Sequence, residues 1–314
     1  MSTIPDSPTT KPPVRPGDRI FAGLSTGAGL LILATLAGVA VFLTVEGIPG
    51  MTASPDEVKS GQSFLPYVGP LLLGTLIAAI VALILATPVA IGVALFISHF
   101  APRKLGQTLG YLVDLLAAVP SVVYGLWGIF VLAPAMGPVY SWLADNLGFI
   151  PIFAGPASTT GRTLLTACIV LAVMILPIMT AICREIFLQT PRLHEEAALA
   201  LGATRWEMVR MAVFPYARSG MVSAAMLGLG RALGETLAVA MVLSATAGVV
   251  TSTLISSTNP STIAANIALS FAEASGKTVN VLIATGLVLF VITFLVNYAA
   301  RVIVDRRKEF SGAN

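Results

Sequence analysis

The chain has 314 residues, 56% of them apolar and only 11% charged, with a formal net charge of +3. Soluble domains carry about 25% charged residues, so a chain this poor in charge cannot cover a water-facing surface and lipid must be its main solvent. Composition therefore excludes a soluble globular domain, a disordered protein and a disulfide-stapled secreted module.

Residues 1–16 are rich in Pro, Ser and Thr and predict a disordered stretch within a cytoplasmic tail over 1–19. The apolar run that follows resembles a signal core. It exceeds the roughly 7–15 residues of one and no small-residue cleavage site follows, so an uncleaved first helix is expected. A bilayer-crossing helix needs about 20 mostly apolar residues. Residues 20–45, 68–97, 163–182 and 279–300 are free of charge, 111–132 holds only Asp114, and 219–249 is apolar apart from Arg231 and Glu235. Six spanning helices follow, an all-α integral membrane protein, because these runs are too long for the alternating strands of a membrane barrel. Cys168 and Cys183 stand in one apolar run. On a helix they lie about 22 Å apart and cannot bridge, so both are expected to be buried structural thiols.

Basic residues set the orientation. Lys11, Arg15 and Arg19 precede the first span, Arg103 and Lys104 follow the second, and Arg184, Arg192, Arg205, Arg210 and Arg218 lie between the fourth and fifth. Arg301, Arg306, Arg307 and Lys308 follow the last. The other side has Lys59, Arg162 and Lys277 among five carboxylates. Both termini are expected in the cytoplasm, with a six-helix membrane domain over 20–305, a cytoplasmic loop over 184–218 and a tail over 306–314. Pro88, Pro120 and Pro177 fall inside spans, where they either create hinges or reflect the ordinary frequency of proline in membrane helices. Tyr140, Trp142, Phe149 and Phe153 make the outer loop 134–161 an expected interfacial or re-entrant segment, and 263–271 reads as a short amphipathic helix on the membrane after a Ser/Thr-rich stretch starting at Ser252.

Enzyme signatures are weak. Gly23-Leu-Ser25-Thr-Gly27 fits a serine-nucleophile pattern, but the only histidines, His99 and His194, sit at cytoplasmic connections and leave Ser25 without a base. Gly276-Lys277-Thr278 lacks the first P-loop glycine, where Phe271 stands, and Gly228-Leu-Gly230 with Gly234 lacks the third glycine of a dinucleotide fingerprint, where Leu233 stands. No metal-ligand cluster, cofactor site, nucleic-acid site or means of hydrolysing ATP is visible.

The strongest local signal lies in the 184–218 loop. Glu195 to Leu201 is rich in helix formers, Gly202 suits a left-handed C-terminal cap, and Thr204 with Glu207 forms a capping box. A second short helix is expected to run to Phe214, with Trp206, Val209 and Val213 on one face and Pro215 at the entry to the fifth span. The alternative is an interfacial helix lying on the bilayer.

This loop resembles the EAA motif of the inner-membrane permease subunits of bacterial ABC importers. Glu196-Ala197-Ala198, Gly202 and Pro215 match in type and spacing, while Ala212 and Phe214 replace the usual Ile and Leu. The resemblance implies a coupling helix seated in a cleft on a separate ATPase, with Glu196, Ala197, Ala198, Gly202, Thr204, Trp206 and Pro215 as its coupling residues.

Arg231 and Glu235 stand within the fifth span, where a charge costs about 2.5–3.5 kcal/mol on insertion scales and needs a partner or a watery cavity. Four residues apart, they are expected to share a helix face and could pair. Gly228, Gly230 and Gly234 leave room for a helix or ligand. Either the pair neutralises itself and fixes packing, or Arg231 attracts an anion that Glu235 orients or gates.

The run Gly228-Leu-Gly-Arg-Ala-Leu-Gly-Glu-Thr236 resembles the phosphate-specific branch of these importers, in which the matching arginine and glutamate are implicated in transport. Ala118-Val-Pro-Ser-Val-Val-Tyr-Gly-Leu-Trp-Gly128 is more similar to the PstC type of subunit than to its paralogue PstA. The resemblance implies a type I permease in the bacterial inner membrane, with a substrate path at Arg231, Glu235, Gly230 and Gly234. Its implied partners are a homologous PstA-like permease, two ATP-binding subunits and an external phosphate-binding protein. Permeases for sulfate or molybdate, and a secondary carrier needing no ATPase, are the alternatives.

Overall fold

The computed structural model describes residues 16–58, 61–246, 249, 251 and 253–308, without the side chains of 303–308. The remainder of the expected tails, with Lys11, Arg15, Lys59, Ser252 and the side chains of Arg306, Arg307 and Lys308, lies outside the described residues. Among the described residues the chain is helical with no strand, only two isolated bridges.

Among the described residues, five helices are long and apolar enough to cross a membrane: Pro16–Met51, Phe64–Phe100, Ser121–Leu147, Leu164–Leu188 and Lys277–Val302. The first is α1, Pro16–Met51, and the second is α2, Phe64–Leu95, extended by a π turn at Phe96–Phe100. Then come α3, Arg103–Ala117, α4, Ser121–Trp127, α5, Ala133–Leu147, and α6, Leu164–Leu188. Two short helices, α7 (Arg192–Ala200) and α8 (Arg205–Met208), precede α9, Phe214–Gly234. The chain closes with α10 (Leu237–Val242), α11 (Ile263–Phe271) and α12 (Lys277–Lys308).

The core forms where α2 lies on α6. Ala78, Ala82, Ala86, Ala90 and Ala94 recur at every fourth position of α2 and all are buried. Four-residue spacing keeps them on one face, and methyl side chains let the helix backbones approach closely. Leu164, Cys168, Leu171, Ile175 and Met179 of α6 fill the facing layer with the ends of α9 and α10. Cys168 and Cys183 are buried free thiols, as expected. Outside this core α1 packs on α12, where Asn280 Nδ2 donates to Glu46 O at 2.8 Å and to Glu46 Oε2 at 3.1 Å. The rest of α1 exposes Ile20, Phe21, Leu24 and Leu31, the surface a bilayer would cover.

The third span is displaced from its expected place. The helix predicted over 111–132 is broken at Pro120, which caps α4 in an extended conformation. Proline disfavours helix for the residue before it and removes a donor. Upstream, α3 is a separate amphipathic helix; downstream, α4 and α5 run as one rod from Ser121 to Leu147. Tyr140 and Trp142 therefore ride on the spanning rod and not on an interfacial or re-entrant loop. Tyr140 is fully buried, its hydroxyl 2.6 Å from Thr166 Oγ1. Pro88 and Pro177, by contrast, sit inside continuous helices.

Three π turns share one cause. Each ends just before a proline: Phe96–Phe100 before Pro102, Gly128–Leu132 before Pro134, Val209–Val213 before Pro215. In each, the residue preceding the proline donates five positions back: Ala101 to Phe96, Ala133 to Gly128, Phe214 to Val209. A proline ring crowds the carbonyl four residues behind it, and one widened turn relieves that contact without ending the helix. The second and third turns carry their helices on past the proline. A single rod therefore runs from Arg205 to Gly234, in place of a second short helix that stops at Phe214.

Candidate functional site

The expected fifth span is divided. α9 ends at Gly234, and Glu235 is extended at φ −72°, ψ 127° before α10 begins. The shared helix face predicted for Arg231 and Glu235 does not exist, and no ion pair joins them among the described residues. Glu235 turns forward and is buried, its Oε1 accepting from the backbone N–H of Ala238 at 3.1 Å. It caps α10, where a carboxylate also meets the positive end of the helix dipole. α10 in turn lies against α4, where Gly125 leaves room: a Cβ there would stand 3.0 Å from Ala238 Cα.

Arg231 is left uncompensated. Its Nε is buried with no hydrogen-bond partner among the described residues. A buried donor left without a partner costs about 1–3 kcal/mol, more when charged. The side chain borders a cavity of about 600 Å3 shared with Ile178, Ser223, Met226, Leu227, Gly230 and Asn297. The guanidinium also lies within electrostatic reach of Tyr124 on α4, whose hydroxyl donates to Leu116 O at 2.9 Å across the Pro120 break. Of the glycines, Gly230 and Gly234 face open space: a Cβ added at either would have no atom within 4 Å. Gly228 is instead pressed on α6, where a Cβ would stand 2.7 Å from Met179 Sδ. Arg231 and Gly230 thus share a cavity, while Glu235 serves the neighbouring helix start.

The start of α6 and the end of α10 are tied by a polar hub that no sequence motif announces. Asn259, fully buried, accepts from Leu164 N–H at 3.0 Å and donates to Ser256 O at 3.0 Å. Arg162 Nη2 donates to Met241 O at 3.2 Å, satisfying a free carbonyl near the end of α10. Thr75 Oγ1 on α2 accepts from Ile263 N–H at 2.9 Å, and α11 folds over 263–271 as expected, packed on α2 and α12.

The hairpin carried by α7 and α8 follows local sequence closely. Gly202 has φ +84°, and the N–H groups of Gly202 and Ala203 bond back to Leu199 O and Ala198 O. That pair of bonds closes the C-terminus of α7. Thr204 Oγ1 accepts from Glu207 N–H at 3.3 Å while Glu207 Oε2 accepts from Thr204 N–H at 2.7 Å. The Thr204 backbone N–H, and then its hydroxyl, hold the Glu207 carboxyl below its ordinary pKa.

The outward face differs from the one expected. Val209 and Val213 are fully buried in this chain, packed with Phe187, Ala198 and Met208, so they present nothing to a partner. Their burial follows from the π turn, which keeps α8 in one rod with α9 and turns that stripe inward. Glu196, Ala197, Gly202, Thr204 and Pro215 are exposed and Ala198 is buried. Trp206 is 55% exposed and Leu201 88%, leaving an apolar tip on a capped, rigid corner. Trp206 is braced edge-on against Phe214 at 6.1 Å. Two further ties escaped sequence reading: His99 Nε2 meets Glu195 Oε1 at 3.5 Å, joining the end of α2 to α7, and Arg184 meets Asp114 at 3.4 Å.

Apolar spanning helices, a broken helix bearing a bare cation beside a cavity, and a rigid hairpin at one end define a multi-pass membrane permease subunit, a transport component and not an enzyme. Residues 86–309 match the family described as binding-protein-dependent transport system inner membrane component, and the chain belongs to it. It is 46% identical to the phosphate transport system permease protein PstC 2 of Mycobacterium tuberculosis, over 94% of this chain and 97% of that protein. The PstC proteins of Mycobacterium leprae and Mesorhizobium japonicum are 43% and 38% identical, over 92% and 94% of this chain and 94% and 92% of theirs. In fold it is similar to a bacterial ABC transporter involved in import of the acidic polysaccharide alginate, with TM-score 0.58 and 15% identity over 92% of this chain and 99% of that one. The inward-facing MetNI methionine ABC transporter gives TM-score 0.53 and 18% identity over 77% and 95%.

Proposed function

We propose that this chain is one permease subunit of an ATP-driven phosphate importer in the bacterial inner membrane, and that Arg231 is the fixed cation of its anion path. The observation that carries the reading is the Arg231 guanidinium, with a partnerless Nε beside a cavity between α6, α9 and α12. A planar cation suits an oxyanion, since charge-assisted hydrogen bonds to phosphate are about twice as strong as neutral ones. The names of the relatives support phosphate as the anion.

In this reading α9 with α10 supplies the sixth crossing, and both termini and the 184–218 loop lie in the cytoplasm, as their excess of Lys and Arg supports. A homologous permease completes the path, and Gly230 and Gly234 leave α9 open toward it. Two ATP-binding subunits grip the exposed corner of Glu196, Ala197, Gly202, Thr204 and Trp206, and a phosphate-binding protein delivers substrate outside. Closure of the motors moves the hairpin, and the rod from Arg205 to Gly234 carries that movement to Arg231. The extended residue at Glu235 lets α10 stay on α4 while α9 moves.

The test is labelled phosphate uptake into vesicles holding the complete importer. Arg231→Ala is expected to assemble with its partners and to abolish uptake, and Arg231→Lys to retain a fraction of it. Normal uptake by Arg231→Ala overturns the assignment, and competition by excess sulfate or molybdate equal to that by phosphate overturns the substrate.

A further inference from the structure

The cavity beside Arg231 contains two other polar side chains, Ser223 on α9 and Asn297 on α12. Ser223 lies eight residues nearer the hairpin than Arg231, about 12 Å along the helix. Both line the cavity and are exposed, and the Asn297 side chain makes no hydrogen bond among the described residues. Ser223 donates to Ser219 O at 3.0 Å, a bond that rotation of the hydroxyl can exchange for one to a ligand. Asn297 stands in a stretch of α12 that holds no charged residue from Val279 to Ala300, so its free amide has a desolvation cost unless the cavity is wet or occupied. Every other lining residue except Arg231 is apolar or glycine.

We propose that Asn297, with Ser223, is a second, uncharged station of the anion path on the hairpin side of Arg231, and that it governs release. This rests on the anion path proposed for Arg231. A single strong cation would hold a phosphate and also retain it. Passage requires binding favourable enough to enter and weak enough to leave, which adjacent sites of unequal strength provide. An amide N–H and a hydroxyl can solvate the departing anion without adding charge, so the anion leaves Arg231 in two small steps. A charge of either sign placed at Asn297 therefore lowers maximal flux, a negative one by repelling the anion and a positive one by retaining it.

The experiment uses the complete importer in vesicles at pH 8, with co-purification of the partner subunits as the readout of assembly. Asn297→Asp is nearly isosteric and places a negative charge at the station. It is expected to assemble normally and to lower phosphate uptake at least about tenfold, as like charges repel by several kcal/mol. Asn297→Lys is expected to lower KM and kcat together, because an anion held more tightly leaves more slowly. Wild-type uptake by Asn297→Asp overturns the inference, and so does loss of partner subunits in both variants, which would make Asn297 a packing residue. Arg231→Ala, assayed alongside, separates the two readings. If it is inactive while Asn297→Asp transports normally, only the release station fails; if it transports normally, the anion path itself fails.

Discussion

Glu235 bonds forward to Ala238 and not back to Arg231: its Oε1 lies 3.1 Å from the Ala238 backbone nitrogen, and the chain between is extended. The carboxylate thereby starts α10, and Arg231 Nε is left without a hydrogen-bond partner among the described residues. Glutamine keeps an oxygen that can make the same cap without charge, and alanine keeps neither. Glu235→Ala is expected to destabilise the α10 start by about 1 kcal/mol, the usual worth of a helix cap. Glu235→Gln should then retain uptake if the cap is what matters. Comparing uptake and thermal melting of the two variants checks this, and equal loss of transport in both would assign the role to charge.

Gly128 and Gly228 face different neighbours. A Cβ at Gly128 would meet Val170 and Val242 Cγ2 atoms, both at 2.7 Å, whereas one at Gly228 would meet the flexible end of Met179 at 2.7 Å. Valine is stiff at χ1 and methionine adapts. Gly128→Ala should therefore lose about 1–3 kcal/mol through overpacking, and Gly228→Ala distinctly less. Melting temperatures of the purified variants decide it, and the reverse order would refute the packing described.

Pro215 maintains the π turn between the hairpin and α9. Pro215→Ala restores a donor four residues after Met211 and allows the turn to close to α-helix, rotating α9 against α7 by one residue, about 100°. The expected outcome is a normally assembled importer in which phosphate moved per ATP hydrolysed falls several-fold. An unchanged ratio would remove the proline from the transmission.

The capping box has a pH dependence of determinate sign. Thr204 holds the Glu207 carboxyl below its ordinary pKa, so the folded hairpin binds fewer protons than the unfolded one. Its contribution is fully present above the ordinary glutamate pKa of about 4.3 and is lost as pH falls through the lowered folded value. Hydrogen exchange of residues 201–213 in the intact protein, followed down in pH, should show protection weakening over that window. Thr204→Ala should move the window up toward the ordinary value; a window unmoved by that change would sink the assignment.

The hairpin was legible in the sequence because its determinants are local. Gly202, Thr204 and Glu207 act within six positions, and each made the bond its residue type predicts. The apolar runs were legible too, since length and charge alone decide whether a helix can cross lipid. Less legible was the third span, where the same charge counting placed a helix across Pro120 and put Tyr140 in a loop.

Composition and spacing determined that this chain is a helical membrane protein with a capped hairpin and a cation in a membrane helix. Tertiary structure decided which way the residues of that helix point. Arg162 and Asn259, far away in sequence, hold the end of α10 through Met241 O and Ser244 O, and α4 receives its flank at Gly125. Those long-range contacts make a break at Glu235 more favourable than a continuous helix with an internal ion pair. A four-residue interval can state which partners a regular helix would offer; only the packing around it determines whether the helix continues.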